Sequence, residues 1–252
     1  MLNFVFCIIN LRVSFIKKEF ISKLMAKTFT ETKTHEVTVD VVILTIVHNT
    51  LKVLLLKRAN EPFRGRWAIP GGFIRLSENL DDAALRVLKE KTNVQNIYLE
   101  QLYTFGDPLR YPNTRVITCA YFALLRAEDI DVKIMDESVT EIGWHSIEEL
   151  PPLAFDHKEI IEYSLKRTRE RLELCPVAFQ LLPKKFTLTE LQKSYELILK
   201  KDLDKRNFRK KMLSTNMLID LNECSKTGSK RPAALYSFDT ITLDSKRGHF
   251  FS

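Results

Sequence analysis

Cysteine, glycine and long apolar runs are all scarce in this sequence. Its 252 residues include four cysteines and seven glycines. The cysteines show neither CxxC nor Cys/His spacing, which indicates neither a zinc site nor a disulfide framework and fits a reducing cytosol. No low-complexity tract, collagen-like period or internal repeat is present. A hydrophobic content of 45% therefore predicts an ordinary globular chain, long enough for one large domain or two smaller ones.

The amino-terminal stretch is apolar but lacks the marks of a membrane or export segment. Leu2 to Ile16 contains Arg12 and is shorter than the ~20 residues that a membrane-spanning helix needs. A basic start and a small-residue cleavage site are both missing. Met25 offers a second start, and translation from Met1 or from Met25 fits the sequence equally well. We expect a cytoplasmic protein with no membrane segment.

The composition changes along the chain, which favours two domains. We predict an extension over 1–35, partly untranslated or disordered, a first domain over 36–174, a second over 175–243 and a tail over 244–252. Apolar periodicity predicts an α+β chain. The predicted strands of the first domain are Val37–Val47, Leu51–Leu56, Ile97–Phe105 and Val116–Leu125, and its predicted helices are Leu80–Lys91 and Lys158–Leu174. Gly71 and Gly72 are expected to supply backbone conformations closed to other residues.

The segment GGFIRLSENLDDAALRVLKEKTNV resembles the Nudix box. Its box positions hold Gly72, Glu78, Arg86, Leu88, Glu90 and Val94. A match at this many fixed positions is far more specific than a lone glycine motif. The resemblance implies a Nudix α/β/α sandwich. In active members, it also implies glutamates on one face of the helix that hold divalent cations and so activate the attacking water.

Two of the three metal-binding glutamates of the box are missing. The three positions hold Val87, Glu90 and Lys91, and Asn93 stands where the box has a second glycine. Lys91 places a positive charge where a cation would bind, so both lost ligands and repulsion lower metal affinity. We therefore predict no catalytic residue, no metal and no cofactor. Arg86 and Glu90 are expected to form an intrahelical ion pair instead.

An active hydrolase is the alternative. In that reading Glu90 would hold Mg²⁺ with carboxylates recruited from Glu78 or Asp107, and the substrate would be ADP-ribose or a related nucleoside diphosphate derivative. His157 lies in the first turn of a predicted helix, where a structural role is expected rather than a catalytic one.

The flanking segments resemble the ADP-ribose-recognising branch of the Nudix superfamily, and especially its regulator offshoot. They read YLEQLYTFGDPLRYPNTRVITCAYFALL and LPPLAFDHKEII. The resemblance implies a domain that senses a nucleotide sugar or a sugar without cleaving it. Arg58, Arg110 and Arg115 are the candidate phosphate partners, because a guanidinium grips phosphate oxygens with two parallel hydrogen bonds.

The carboxy-terminal part has the order of elements of a winged helix-turn-helix. Thr187 and Glu190 form a capping box ahead of an apolar helical stripe. A basic helix follows over about Leu203–Ser214, and then two strands, Met217–Glu223 and Ala233–Phe238. The stretch resembles the winged-helix half of Nudix-related transcriptional regulators, and a winged helix used only for protein contacts is the alternative.

Basic side chains concentrate on the predicted recognition helix and at the tip of the predicted hairpin. The candidate DNA-binding residues are Arg206, Asn207, Arg209, Lys210, Lys230 and Arg231. The sequence thus favours a regulator, of repressor type, that binds a double-stranded DNA operator as a homodimer. The resemblance implies control of NAD-biosynthesis or sugar-utilisation genes, with an ADP-ribose-like molecule or a pentose as effector.

Overall fold

The computed structural model describes residues 35–95, 97, 99–174, 181–225 and 232–239. From Glu36 onward the described residues belong to one compact unit. None of the helices formed by the described residues is both long and apolar enough to cross a bilayer. The predicted extension up to residue 34, the predicted tail, and the wing residues Lys230 and Arg231 lie outside the described residues.

A seven-stranded mixed sheet forms the first half of the described chain. Its strands are β1 (Glu36–Val47), β2 (Thr50–Arg58), β3 (Trp67–Ala68), β4 (Gly71–Phe73), β5 (Glu100–Phe105), β6 (Val116–Leu124) and β7 (Val139–Ser146). The main path runs β3-β2-β1-β6-β5, with β4 paired to β1 and β7 to β2. β1 and β2 form a two-residue hairpin, because His48 and Asn49 both have positive φ, as a type I′ turn requires.

Two helices cover the two faces of this sheet. Helix α1 (Leu80–Thr92) buries Ala83, Ala84, Val87 and Leu88 in one core with odd-numbered residues of β1 such as Val39 and Val41. Helix α2 (His157–Leu174) packs Ile160, Ile161 and Leu165 on the other face. Successive side chains of a strand point to opposite faces of the sheet, and this alternation decides which residues of β1 face α1 and which face α2. The predicted α/β/α sandwich is the observed architecture.

A second, three-stranded sheet follows with two short helices. The elements are β8 (Phe186–Thr187), α3 (Leu188–Leu199), α4 (Lys205–Ser214), β9 (Leu218–Cys224) and β10 (Ala234–Phe238), with strand order β8-β10-β9. The capping box is confirmed, since Thr187 Oγ1 accepts from the Glu190 amide and the Glu190 carboxylate accepts from the Thr187 amide. The predicted order of helix, basic helix and hairpin is confirmed.

The apolar core runs without interruption from the large sheet into the winged helix. Leu172 of α2, Leu191 of α3 and Phe208 of α4 belong to the same buried cluster as Val53 of β2. Arg169 Nε also donates to the backbone oxygen of Ile198 at 2.8 Å. Helix α2 therefore belongs to both halves of the molecule.

Several elements differ from the sequence expectation. β3, β4, β7 and β8 were not predicted, because strands of two or three residues carry no periodic signal and because β7 is mostly half-exposed. β5 begins at Glu100 rather than at Ile97. The long predicted strands and the helices predicted over 80–91, 158–174 and 203–214 begin and end within about three residues of the predicted bounds.

Candidate functional site

The surviving charged residues of the box are bound to one another. Arg86 donates from Nε and Nη2 to the two carboxylate oxygens of Glu78, at 2.7 and 2.6 Å, and from Nη1 to Glu90 at 2.8 Å. Arg75 donates to the other Glu90 oxygen at 2.9 Å. The predicted pair of Arg86 and Glu90 is confirmed, as part of a larger network. Both acidic side chains are thus neutralised by arginines.

The box residues do not fit a divalent cation. Val87 of α1 is buried in the core, and a methyl group of its side chain lies 3.0 Å from where a Cβ on Gly72 would stand. Among the described residues, no group of three His, Cys, Asp or Glu side chains is arranged to hold a metal ion. Hard cations such as Mg²⁺ need several oxygen ligands. The box residues therefore offer too few free oxygen ligands for such an ion.

Acid should weaken the fold through Glu78. The hydrogen bonds from Arg86 hold the pKa of Glu78 at about 2, below its usual 4.5. The ionised carboxylate therefore stabilises the folded state above about pH 4.5, and this contribution is lost as the pH falls toward 2, because the unfolded chain binds the proton first. Urea unfolding at about pH 6 should show that the wild type is more stable than Glu78→Gln. The difference should shrink at about pH 3, and an equal difference at both values would contradict the assignment.

A cavity of about 280 Å³ opens beside the box. It lies where β1, β2 and β4 meet the start of α2, and the end of α1 reaches its wall. Its polar lining side chains include Thr38, Asp40, Arg58, Lys91, Arg110, Tyr111 and His157. Few carboxylates face it, and its cations outnumber them. The cavity thus suits an anionic ligand with an apolar or aromatic part.

The floor of the cavity is a buried ion-pair cluster. Arg110 donates from Nε and Nη2 to both carboxylate oxygens of Asp156, each at 2.8 Å, and from Nη2 to Asp40 at 3.2 Å. The Arg110 side chain is only 3% exposed and that of Asp40 8%. Burial lowers the pKa of Arg110, but its hydrogen bonds to the carboxylates of Asp156 and Asp40, and their negative charges, outweigh that effect and leave the pKa raised. Arg110 thus joins the β5–β6 connection to β1 and to the residue before α2.

Gly71 is required at the floor for reasons of space. Neither Gly71 nor Gly72 has a positive φ, so the expectation that they supply special backbone conformations is wrong. A Cβ on Gly71 would instead lie 1.9 Å from Asp40 Oδ1. The glycine lets β4 approach the buried carboxylate on β1.

His157 holds the backbone of the cavity wall. Its Nδ1 accepts a hydrogen bond from the amide of Ile69 at 3.1 Å, so Nδ1 carries no proton. Burial lowers the pKa of the imidazole, and nearby Asp40 opposes that effect only in part. The ring is therefore neutral at physiological pH, with its proton on Nε2. These contacts agree with the structural role expected for this residue.

An aromatic cluster forms the rim of the cavity. The ring of Phe155 stacks on Tyr111, with centroids 5.1 Å apart and an angle of 13°, and meets the edge of Phe63 at 4.9 Å. The guanidinium of Arg58 lies 4.9 Å from the centre of the Phe155 ring and donates from Nε to the backbone oxygen of Pro62 at 2.8 Å. Arg58 is thus held in place at the cavity wall.

Lys91 also faces this cavity. Burial is the main cause that lowers the pKa of its ammonium group; Asp136 opposes the effect and Arg58 adds to it. The side chain comes from the last turn of α1, one residue after Glu90. A cation thus stands on the cavity wall at the box position of a glutamate.

The three predicted arginines have different surroundings. Arg58 and Arg110 line the cavity, but Arg110 is already paired with two carboxylates. Arg115 is not among the lining residues, and its Nη1 is buried without a hydrogen-bond partner. Sequence reasoning missed Asp40, Tyr111 and Phe155. Only Asp40 carried a signal, as a charged residue within an apolar strand.

The basic helix α4 presents its polar side to solvent. Phe208 and Met212 are buried, whereas Arg206, Asn207 and Lys210 are exposed. Arg209 is half-buried and donates from Nη2 to Thr189 Oγ1 at 3.3 Å, so it also joins α4 to the start of α3. The exposed side carries the charge that a phosphate backbone would attract.

Ion pairs join the winged helix and α2 to the larger sheet. Lys200, after α3, lies 2.8 Å from Glu148, and both side chains are about half exposed. Arg171 of α2 contacts Glu100 of β5 at 2.5 Å in a mostly buried pair. These contacts flank the shared apolar core. The junction between the two halves is therefore both apolar and charged.

Comparison with known proteins finds a match for each half. The family described as NUDIX domain matches residues 34–164, and the family described as NrtR DNA-binding winged helix domain matches residues 178–238. The ADPR responsive transcriptional repressor NtrR of Acinetobacter baylyi is 36% identical over 205 residues, which are 80% of this chain and 81% of the relative. The similarity thus extends over both halves.

Solved structures of Shewanella oneidensis NrtR share this arrangement. The complex of that protein with a 27mer DNA has a TM-score of 0.71 and 35% identity, covering 82% of this chain and 95% of the other. Its NUDIX domain complexed with ADP ribose has a TM-score of 0.51 and 39% identity, covering 54% of this chain and 90% of the other.

Proposed function

Because this chain belongs to the family of Nudix-related transcriptional regulators that carry an NrtR DNA-binding winged helix domain, we propose that it is an ADP-ribose-responsive transcriptional repressor. The winged helix binds a double-stranded DNA operator, and the cavity of the Nudix domain binds the effector. The complexes of the Shewanella relative with DNA and with ADP ribose support these two ligands. They favour a nucleotide sugar over the pentose that the sequence left open.

One observation carries the proposal that the effector is bound and not cleaved. Glu78 and Glu90 form a closed network with Arg75 and Arg86 beside a cavity rich in cations. The network leaves no acidic side chain of the box free to hold a metal ion. The neighbouring cations nevertheless suit a diphosphate. The domain thus keeps the means to bind such a ligand without the means to split it.

Helix α2 connects the effector cavity to the DNA-binding half. At its start, Asp156 is paired with Arg110 and His157 with the Ile69 amide. Near its end, Arg169 binds the last turn of α3. A ligand that shifts the start of α2 therefore shifts the winged helix as well. Effector binding then favours one arrangement of the two halves and changes operator affinity.

Three further parts of the proposal concern context. We propose that the repressor acts as a homodimer in the cytoplasm, since two-fold symmetric proteins match palindromic half-sites. We propose NAD-biosynthesis genes as its targets, because ADP-ribose is derived from NAD. We also propose that it needs no cofactor.

The test is the effect of ADP-ribose on DNA binding by the full-length protein. Duplexes selected from a random library by the protein itself supply the operator, and fluorescence anisotropy follows binding as ADP-ribose is added. The ADP-ribose concentration at which half of the anisotropy change occurs should be about tenfold higher for Arg58→Gln than for the wild type. The reason is that a hydrogen bond to a charged group is worth roughly 1.5–3 kcal/mol. Arg64→Gln is the matched control, because Arg64 is exposed and lies outside the cavity.

Hydrolysis distinguishes the alternative function. We expect no release of AMP from ADP-ribose with Mg²⁺ or Mn²⁺. Turnover that disappears in Glu90→Gln would show an active hydrolase and contradict the proposal. An operator affinity that ADP-ribose leaves unchanged would contradict it as well.

A further inference from the structure

Two cations of the effector cavity form no close ion pair with any described residue. The ammonium of Lys91 has no hydrogen bond or ion pair with any described residue, although its side chain is only partly exposed. Arg58 uses its Nε on a backbone oxygen and stacks on Phe155, and its remaining donors form no ion pair within the described part of the chain. Two partly buried like charges on one cavity repel each other. A bound anion would relieve that repulsion.

Most carboxylates near these cations are engaged elsewhere, and Glu61, which also lines the cavity, is exposed to solvent. Asp40 and Asp156 are paired with Arg110, and Glu90 is paired with Arg75 and Arg86. The Asp136 carboxylate accepts from the Ser138 amide at 2.6 Å. Asp136 offsets part of the positive charge of Lys91 without forming an ion pair with it, so the ammonium at the end of α1 is left without a close anion.

A hydroxyl group in the same cavity also lacks a partner. Thr38 lines the cavity and is 8% exposed, and its Oγ1 makes no hydrogen bond. Buried hydroxyl groups are nearly always hydrogen-bonded, and an unsatisfied one calls for an explanation. This observation is independent of the charges and points to a ligand that accepts or donates a hydrogen bond there.

We propose that Lys91 replaces the divalent cation, so that the cavity binds a diphosphate group without metal, between the Lys91 ammonium and the Arg58 guanidinium. This inference rests on the proposed function and specifies how its effector is held. An ammonium has three donors and can bridge oxygens of neighbouring phosphates, while a guanidinium grips one phosphate with two. Because the box residues hold no metal ion and Lys91 stands in its place, the cavity binds the diphosphate but does not cleave it.

Calorimetric titration of the full-length protein with ADP-ribose tests this, with EDTA in one series and Mg²⁺ in the other. The wild-type Kd should agree within about threefold between the two series, because the cations that contact the diphosphate are the side chains of Lys91 and Arg58 and not metal ions. Lys91→Met should weaken binding by about 10- to 100-fold, and Lys91→Arg should restore most of the loss, because the charge returns. Lys89→Met is the matched control, since Lys89 is exposed two residues earlier on the same helix, and its affinity should match that of the wild type.

A second probe, inorganic pyrophosphate in EDTA, distinguishes a failure of the proposed effector from a failure of the Lys91 site. Binding of pyrophosphate that Lys91→Met weakens, without any binding of ADP-ribose, would refute the proposed effector and support the Lys91 site. Binding of ADP-ribose that requires Mg²⁺, or that Lys91→Met leaves unchanged, would refute the Lys91 site and leave the proposed function intact. Absence of binding by both probes would overturn both.

Discussion

Replacing Arg206 and Lys210 together with alanine should weaken operator binding by at least about 30-fold and leave the fold intact. Each contact from such a side chain to a base or a phosphate is worth roughly 1–3 kcal/mol, so that two contacts contribute at least about 2 kcal/mol. Both side chains are exposed on α4, whereas Phe208 and Met212 hold that helix to the core. The loss should therefore appear in DNA affinity and not in stability.

The salt dependence of binding provides the sharper measurement. Removing a phosphate contact lowers the slope of log K against log salt by roughly 0.9, because fewer counterions are released. Anisotropy titrations over a range of salt concentrations give both affinity and slope. The charge-matched control is Lys166→Ala with Arg167→Ala, two exposed positions on α2, and it should bind as the wild type does. If Arg206→Ala with Lys210→Ala kept wild-type affinity, α4 would not be the helix that contacts DNA.

Replacing Arg110 with methionine should destabilise the folded protein by about 3–5 kcal/mol, the cost of leaving buried charges unpaired. Asp40 and Asp156 both depend on this guanidinium, at 3.2 and 2.8 Å, and the side chain of Asp40 is 8% exposed. Methionine fills similar space but neutralises neither carboxylate. The effect should be among the largest of any single substitution in this domain.

Urea unfolding followed by circular dichroism at neutral pH measures this loss. The transition midpoint should fall while its slope stays constant, because the same surface is exposed on unfolding. Arg64→Met supplies the control, since Arg64 is exposed and its replacement should change stability by no more than about 0.5 kcal/mol. A loss below about 1 kcal/mol for Arg110→Met would mean that the three-residue cluster does not form in solution.

The predicted arginines show how a residue type can indicate a location without indicating a role. Arg58 and Arg110 were both expected to bind phosphate, and both line the cavity. Arg110 is nevertheless enclosed by two carboxylates, one from a strand 70 residues earlier in the chain. A sequence shows the charge of a side chain but not which opposite charges will be folded against it.

Local patterns in the chain were sufficient for the helices, for the long apolar strands and for the box, but not for β3, β4, β7 and β8. The resemblance to the Nudix box, carried by Glu78, Arg86 and Glu90, implied the Nudix sandwich, and the capping box at Thr187 and Glu190 predicted the start of α3. These inferences held because they depend on side chains within a few residues of one another, whose relative positions follow from helix geometry.

The cavity, by contrast, exists only in the folded chain. Asp40, Lys91, Arg110 and Phe155 come from four separate segments, and pairing of strands and helices brings them to one wall. Folding likewise determines that Gly71 serves to make room for Asp40 and that α2 joins the cavity to the winged helix. Long-range packing and charge pairing decide these features, and neither leaves a periodic trace in the order of residues.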